Sequence, residues 1–152
     1  MAISIKEILM GRAELADLPE DVQDNIKELH IRINVIREAY GKAMKVNDGY
    51  RKPANTPKNG SKTSWHLQGA AIDLDDDDTA YLWKWVLENL QLFQDVGLWI
   101  EDPRWTHGNV GTWMHFQIYP PKSGKRIFVP SSTAAPAPDI WDGKYDKKFD
   151  KF

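Results

Sequence analysis

The chain has 152 residues and a formal net charge of −2, from 20 basic and 22 acidic side chains, with four histidines and no cysteine. That length suffices for one domain with its own core, and the missing cysteine excludes a disulfide scaffold and any thiolate zinc site, so a bound metal needs histidine and carboxylate ligands. The near-neutral charge, without a long Lys/Arg run, argues against a nucleic-acid or membrane-surface partner. Residues 1–21 contain acids and no apolar signal core, and no stretch reaches transmembrane length. The expectation is a chain made in the cytoplasm without a signal peptide, a monomer that does not insert into a membrane.

In chain order, a short helix is expected at 4–10. A longer one follows at 19–40, where Val22, Ile26, Leu29, Ile33, Ile36 and Tyr40 recur at steps of three and four, Pro19, Glu20 and Asp21 open the first turn and Gly41 follows the end. A brief strand at 44–46 leads into a long loop rich in Gly, Pro, Asn, Ser and Lys. AAIDL reads as a buried strand. The stretch from Asp75 to Phe93 reads as a second helix, with an acidic start suited to its N-terminal dipole and a stripe of Leu82, Val86, Leu90 and Phe93.

VGLWIE and TWMHFQI read as two strands of a hairpin joined by a long, turn-rich loop, and 126–129 as a short edge strand. Five of the seven tryptophans fall between Trp83 and Trp113, suiting an aromatic core. The sum is an α+β fold, a small, mostly antiparallel sheet packed against two main helices. The domain is expected to span 1–130, with 131–152 a linker and an aromatic, charged tail.

Three of the four histidines, His66, His107 and His115, lie in loop or strand segments among polar residues. A catalytic zinc site takes three protein ligands and keeps one position for water, and His66, Asp73 and His115 supply that number. Asp73 is the telling member. A carboxylate on a buried strand must be paired, hydrogen-bonded or metal-bound. The competing reading is an aspartate that caps a turn beside two ordinary histidines. The run Asp75–Asp78 lacks the glycine and distal glutamate of a calcium loop and reads as a helix cap.

GYRKPAN, SWHLQGAAIDL and WMHFQ together resemble the zinc D-Ala-D-Ala carboxypeptidase, dipeptidase and L-alanyl-D-glutamate endopeptidase family, whose metal-binding fold is shared with the hedgehog signalling domain. The family pattern S-x-H-x-x-G-x-A-x-D is matched at Ser64, His66, Gly69, Ala71 and Asp73. The likeness spans about residues 20–120, and the short layout is similar to small phage and prophage members.

The resemblance implies that His66, Asp73 and His115 ligate Zn2+. It implies that Arg51 holds a substrate carboxylate or polarises the scissile carbonyl. Asp48 stands where the family carries serine before GYR. Many members place an acid three residues before the last histidine, but Thr112 occupies that position here. Glu101, at the end of VGLWIE, is the candidate general base, with Asp102 its neighbouring alternative and a turn-capping role the competing reading.

Ser64, Trp65, His107 and Trp113 are candidate substrate contacts, the two tryptophans as walls of the site. The implied function is hydrolysis of peptidoglycan stem peptides at the cell wall or periplasm, after synthesis in a host cytoplasm, or as a virion component. The alternative is a zinc-containing module that has lost hydrolysis and binds a cell-wall peptide or a protein partner. Thr112 keeps that alternative open.

Overall fold

The computed structural model describes residues 2–55, 64–106 and 110–129. It is α+β, with five strands that pair mostly antiparallel. The chain divides into two compact units, Met1–Leu74 and Asp75–Phe152.

In the first unit, α1 (Ile5–Leu9) opens with a capping box in which Ser4 and Glu7 satisfy each other's backbone N–H groups. Helix α2 (Glu20–Tyr40) starts one residue after the expected 19–40, with Pro19 as its N-cap, and Gly41 closes it in the left-handed conformation at φ 72°. The periodic residues Val22, Ile26, Leu29, Ile33 and Ile36 are buried, and Ile3, Ile8 and Leu9 join them in the core. Each such side chain contributes about 1.5–3 kcal/mol of gross burial free energy. Asn34 fastens the chain start to α2, accepting from Ile3 N at 2.8 Å and donating to Ile3 O at 2.8 Å.

Strand β1 is Val46–Asp48, two residues beyond the expected 44–46. It pairs antiparallel with β2 (Ala71–Asp75), and a register irregularity between Val46 and Asp48 sets Asp48 opposite Asp73. That pairing carries the GYR segment to the His66–Asp73 segment.

In the second unit, the second expected helix is two. Helix α3 (Tyr81–Glu88) starts six residues later than expected because the acidic run forms its cap rather than its first turn. Asp76 accepts from Leu82 N at 2.8 Å and Trp83 N at 3.2 Å, and Asp77 accepts from Thr79 N at 2.9 Å. The break before α4 (Leu90–Val96) falls at Asn89, whose Nδ2 donates to Trp85 O at 2.8 Å in competition with the helical ladder. The stripe Leu82, Val86, Leu90 and Phe93 is buried across both helices.

Strand β3 (Trp99–Glu101) pairs antiparallel with β4 (Trp113–Gln117) as the expected hairpin, with the one-turn α5 (Pro103–Thr106) in the connection. The short β5 (Ile127–Phe128) runs parallel beside β3. Of the clustered tryptophans Trp83 is fully buried, while Trp85, Trp99 and Trp113 are half-buried. The aromatic core is completed by Phe93 stacked on Phe116, ring centroids 5.6 Å apart.

Candidate metal centre and active site

His66 sits in a 3-10 helical turn, Trp65–Gln68, built by the residues of the signature itself. Ser64 Oγ accepts from His66 N at 3.2 Å and starts the turn. Gly69 ends it at φ +69°, where a Cβ would lie 2.5 Å from Ile26 Cγ1 of α2. Both the left-handed backbone and the close approach to α2 exclude a side chain there. The signature serine is thus a cap and its glycine a contact point.

His66 Nδ1–H donates to Gly49 O at 2.8 Å. A carbonyl oxygen only accepts, so this bond places a proton on Nδ1; in the neutral ring Nε2 is then the nitrogen that carries the lone pair a metal ion takes. Nε2 lies 3.2 Å from Asp73 Oδ1. Two ligand atoms of a tetrahedral zinc with bonds of 2.0–2.2 Å stand about 3.3 Å apart, so this spacing fits adjacent positions on one ion. Both side chains are buried, Asp73 between Ile72 and Leu74 on a strand with no exposure at those two neighbours. A carboxylate in that setting must be paired, hydrogen-bonded or metal-bound.

The GYR loop is built against α1. Tyr50 N donates to Ile8 O at 2.7 Å, and a Cβ on Gly49 would meet that same oxygen at 2.2 Å. Only glycine permits the approach. Arg51 N donates to His66 O at 3.0 Å, tying this loop to the ligand turn. The Arg51 side chain is buried, and its Nε donates to Asp48 Oδ2 at 2.9 Å, with Nη2 on the same oxygen.

In the second unit, β3 and β4 pair Ile100 with Phe116, so one step further the register faces Glu101 with His115. Glu101 Oε2 lies 3.7 Å from His115 Nδ1. Gln117 settles the histidine's tautomer: its Nε2 donates to Tyr119 O at 2.8 Å, so its Oε1 faces His115 Nε2, also at 2.8 Å, and accepts the proton there. In the neutral ring Nδ1, on the side of Glu101, is then the nitrogen that carries the lone pair. Gln117 was not among the residues expected at the site; its spacing of two from the histidine along a strand is the signal that points to it.

Asp102 is fully buried, and Arg104 holds it by Nε at 3.0 Å and Nη2 at 2.8 Å. Glu101 is the more accessible of the two acids. Trp65 is 37% exposed beside His66, and Trp113 is half-buried two residues before His115. His107 lies outside the described residues. Asp76, just after β2, is spent on capping, as expected of the acidic run. Burial pushes its carboxyl up from the ordinary value of 3.8, against the opposing effect of its backbone donors.

His66 and Asp73 in the first unit and His115 in the second are all buried, and each offers one atom of the kind that ligates a metal. This is a donor set able to hold a metal ion. The family profile described as Peptidase M15 matches residues 6–107, about two thirds of the chain. The chain belongs to the M15 peptidase family. The matched span contains Arg51, His66, Asp73 and Glu101 and stops short of His115. No curated protein and no solved structure matches the chain. Within this M15 chain, no helix among the described residues is long and apolar enough to cross a membrane.

Proposed function

We propose that this M15 chain is a zinc-dependent hydrolase of peptidoglycan stem peptides, of the D-Ala-D-Ala carboxypeptidase or L-Ala-D-Glu endopeptidase type, serving phage lysis or cell-wall processing. His66 through Nε2, Asp73 through Oδ1 and His115 through Nδ1 hold the ion. The observation that carries this reading is the tautomer of His66. With Nδ1–H committed to Gly49 O, its lone pair meets a buried carboxylate oxygen at the spacing zinc ligation requires. Zinc bound there supplies Lewis-acid polarisation of the scissile carbonyl and makes water acidic near neutral pH.

Glu101 accepts the proton of the attacking water and returns it to the leaving amine. Its place beside His115 supports this role, and the Arg104 clamp on Asp102 disfavours the neighbouring acid. Thr112, at the position where many members carry an acid, then needs no catalytic part. Arg51 binds a substrate carboxylate or the developing oxyanion, its backbone N–H on His66 O holding the residue beside the ligand turn. Trp65 and Trp113 wall the peptide groove, and Ser64 borders it. His107 belongs to the same proposal.

Product analysis by mass spectrometry tests the reading. Zinc-loaded protein is incubated with purified peptidoglycan fragments beside a Glu101→Ala control. Cleavage at one class of peptide bond, absent in the control, is the expected result. Bound zinc with no cleavage by the parent would replace the hydrolase with a peptide-binding module, and unchanged turnover in the control would remove Glu101 from the mechanism.

A further inference from the structure

Asp48 is shared by two guanidinium groups. Arg12 Nη1 donates to Asp48 Oδ1 at 2.6 Å and to Tyr50 O at 2.9 Å, while Arg51 occupies the other carboxylate oxygen through Nε and Nη2. The three side chains are well shielded, at 24% exposure for Arg12, 17% for Asp48 and 10% for Arg51. Arg12 reaches this point because the segment after α1 passes along the GYR loop, fixed there by the Tyr50–Ile8 bond and the glycine contact.

The charge balance of this cluster has a chemical consequence. An Asp48–Arg51 pair alone is neutral and attracts an anion weakly. The second guanidinium leaves the cluster with one net positive charge, and Arg51 still presents Nη1, which takes no part in its bonds to Asp48. We infer that Arg12 is a specificity-determining residue acting through Asp48: its charge lets Arg51, already paired with an acid, select substrates that bear a free carboxylate. This rests on the proposed reading of Arg51 as the substrate-facing cation.

The test uses the zinc-loaded full chain carrying Glu101→Gln, so that bound peptide is not consumed. Calorimetry gives dissociation constants for a stem peptide with a free C-terminal carboxylate and for the same peptide as its C-terminal amide. Arg12→Gln is expected to weaken binding of the carboxylate form roughly tenfold and leave the amide form unchanged, and Arg12→Lys to restore the preference. Asp48→Asn, which adds net positive charge, is expected to raise the preference for the carboxylate. A merely structural Arg12 would shift both peptides together.

Equal losses for the two peptides in Arg12→Gln, or no rise in Asp48→Asn, would overturn the inference. A parent preference abolished by Arg51→Ala but kept in Arg12→Gln removes Arg12 alone. No preference in the parent and no effect of Arg51→Ala removes the underlying reading of Arg51, and this inference with it.

Discussion

His66 Nδ1 and the carbonyl oxygen of Gly49 are joined at 2.8 Å, and that bond links the ligand turn to the GYR loop 17 residues earlier. It presents Nε2 toward Asp73, and it depends on a backbone position with no room for a side chain. Gly49→Ala would place Cβ 2.2 Å from Ile8 O, which the loop can relieve only by moving its carbonyl away from His66. The variant is expected to lose about 1–3 kcal/mol of stability and to bind zinc more weakly. Chemical denaturation and chelator competition measure the two effects, and parent-like values in both would show that the loop moves without cost.

Zinc should stabilise the folded chain through mass action, by about 4 kcal/mol at a thousandfold excess over its dissociation constant. Removing zinc with a chelator should lower the melting temperature. His66→Ala and Asp73→Ala should show neither stoichiometric zinc nor a zinc-dependent rise in melting temperature. Retained metal in either variant would sink the ligand assignment.

Gln117 accepts from His115 Nε2 and so holds the ring with its other nitrogen, Nδ1, turned away from it. Gln117→Leu removes the acceptor for Nε2–H and should reduce zinc affinity about 10–100-fold. Gln117→Glu, which keeps an acceptor, should reduce it less. Competition with a chromogenic chelator reads both, and parent-like affinity for the leucine variant would deny the orienting role.

Asp76 caps α3, and Asp76→Ala should cost about 1–2 kcal/mol in urea unfolding. Its pH behaviour separates cap from charge. The folded-state pKa is raised above 3.8, so through the window above 3.8 the native state holds more protons than the unfolded chain. Stability from this group is therefore highest at low pH and falls as pH rises through the folded pKa. Measured from about pH 3 upward, the stability difference should move in favour of Asp76→Asn over the parent. A constant difference across that range would contradict the raised pKa.

The helix periodicities of α2, α3 and α4 were legible as apolar spacing, because amphipathic burial is written locally in the chain. The split at Asn89 was not. The apolar stripe runs through the break unchanged, and the interruption comes from a side-chain amide that takes the Trp85 carbonyl. The late start of α3 has a similar cause, since acidic residues suit a first turn and a cap equally well and only the bonds from Leu82 and Trp83 decide between them.

What the sequence by itself determined is the signature: Ser64, His66, Gly69 and Asp73 lie within ten residues of one another, and a cap, a 3-10 turn and a strand convert that spacing directly into geometry. These residues lie within the span that matches the family profile. Tertiary structure alone decided which nitrogen of each histidine is available, that Asp102 is held by Arg104, and that Arg12 shares Asp48 with Arg51. The long-range links among these, His66 to Gly49 and Arg12 to Asp48, join residues 17 and 36 positions apart, and Arg104 and Gln117 act on near neighbours through side-chain orientation. Neither partner choice nor orientation is encoded in local spacing; both arise when packed elements bring buried polar groups within hydrogen-bonding reach of one another.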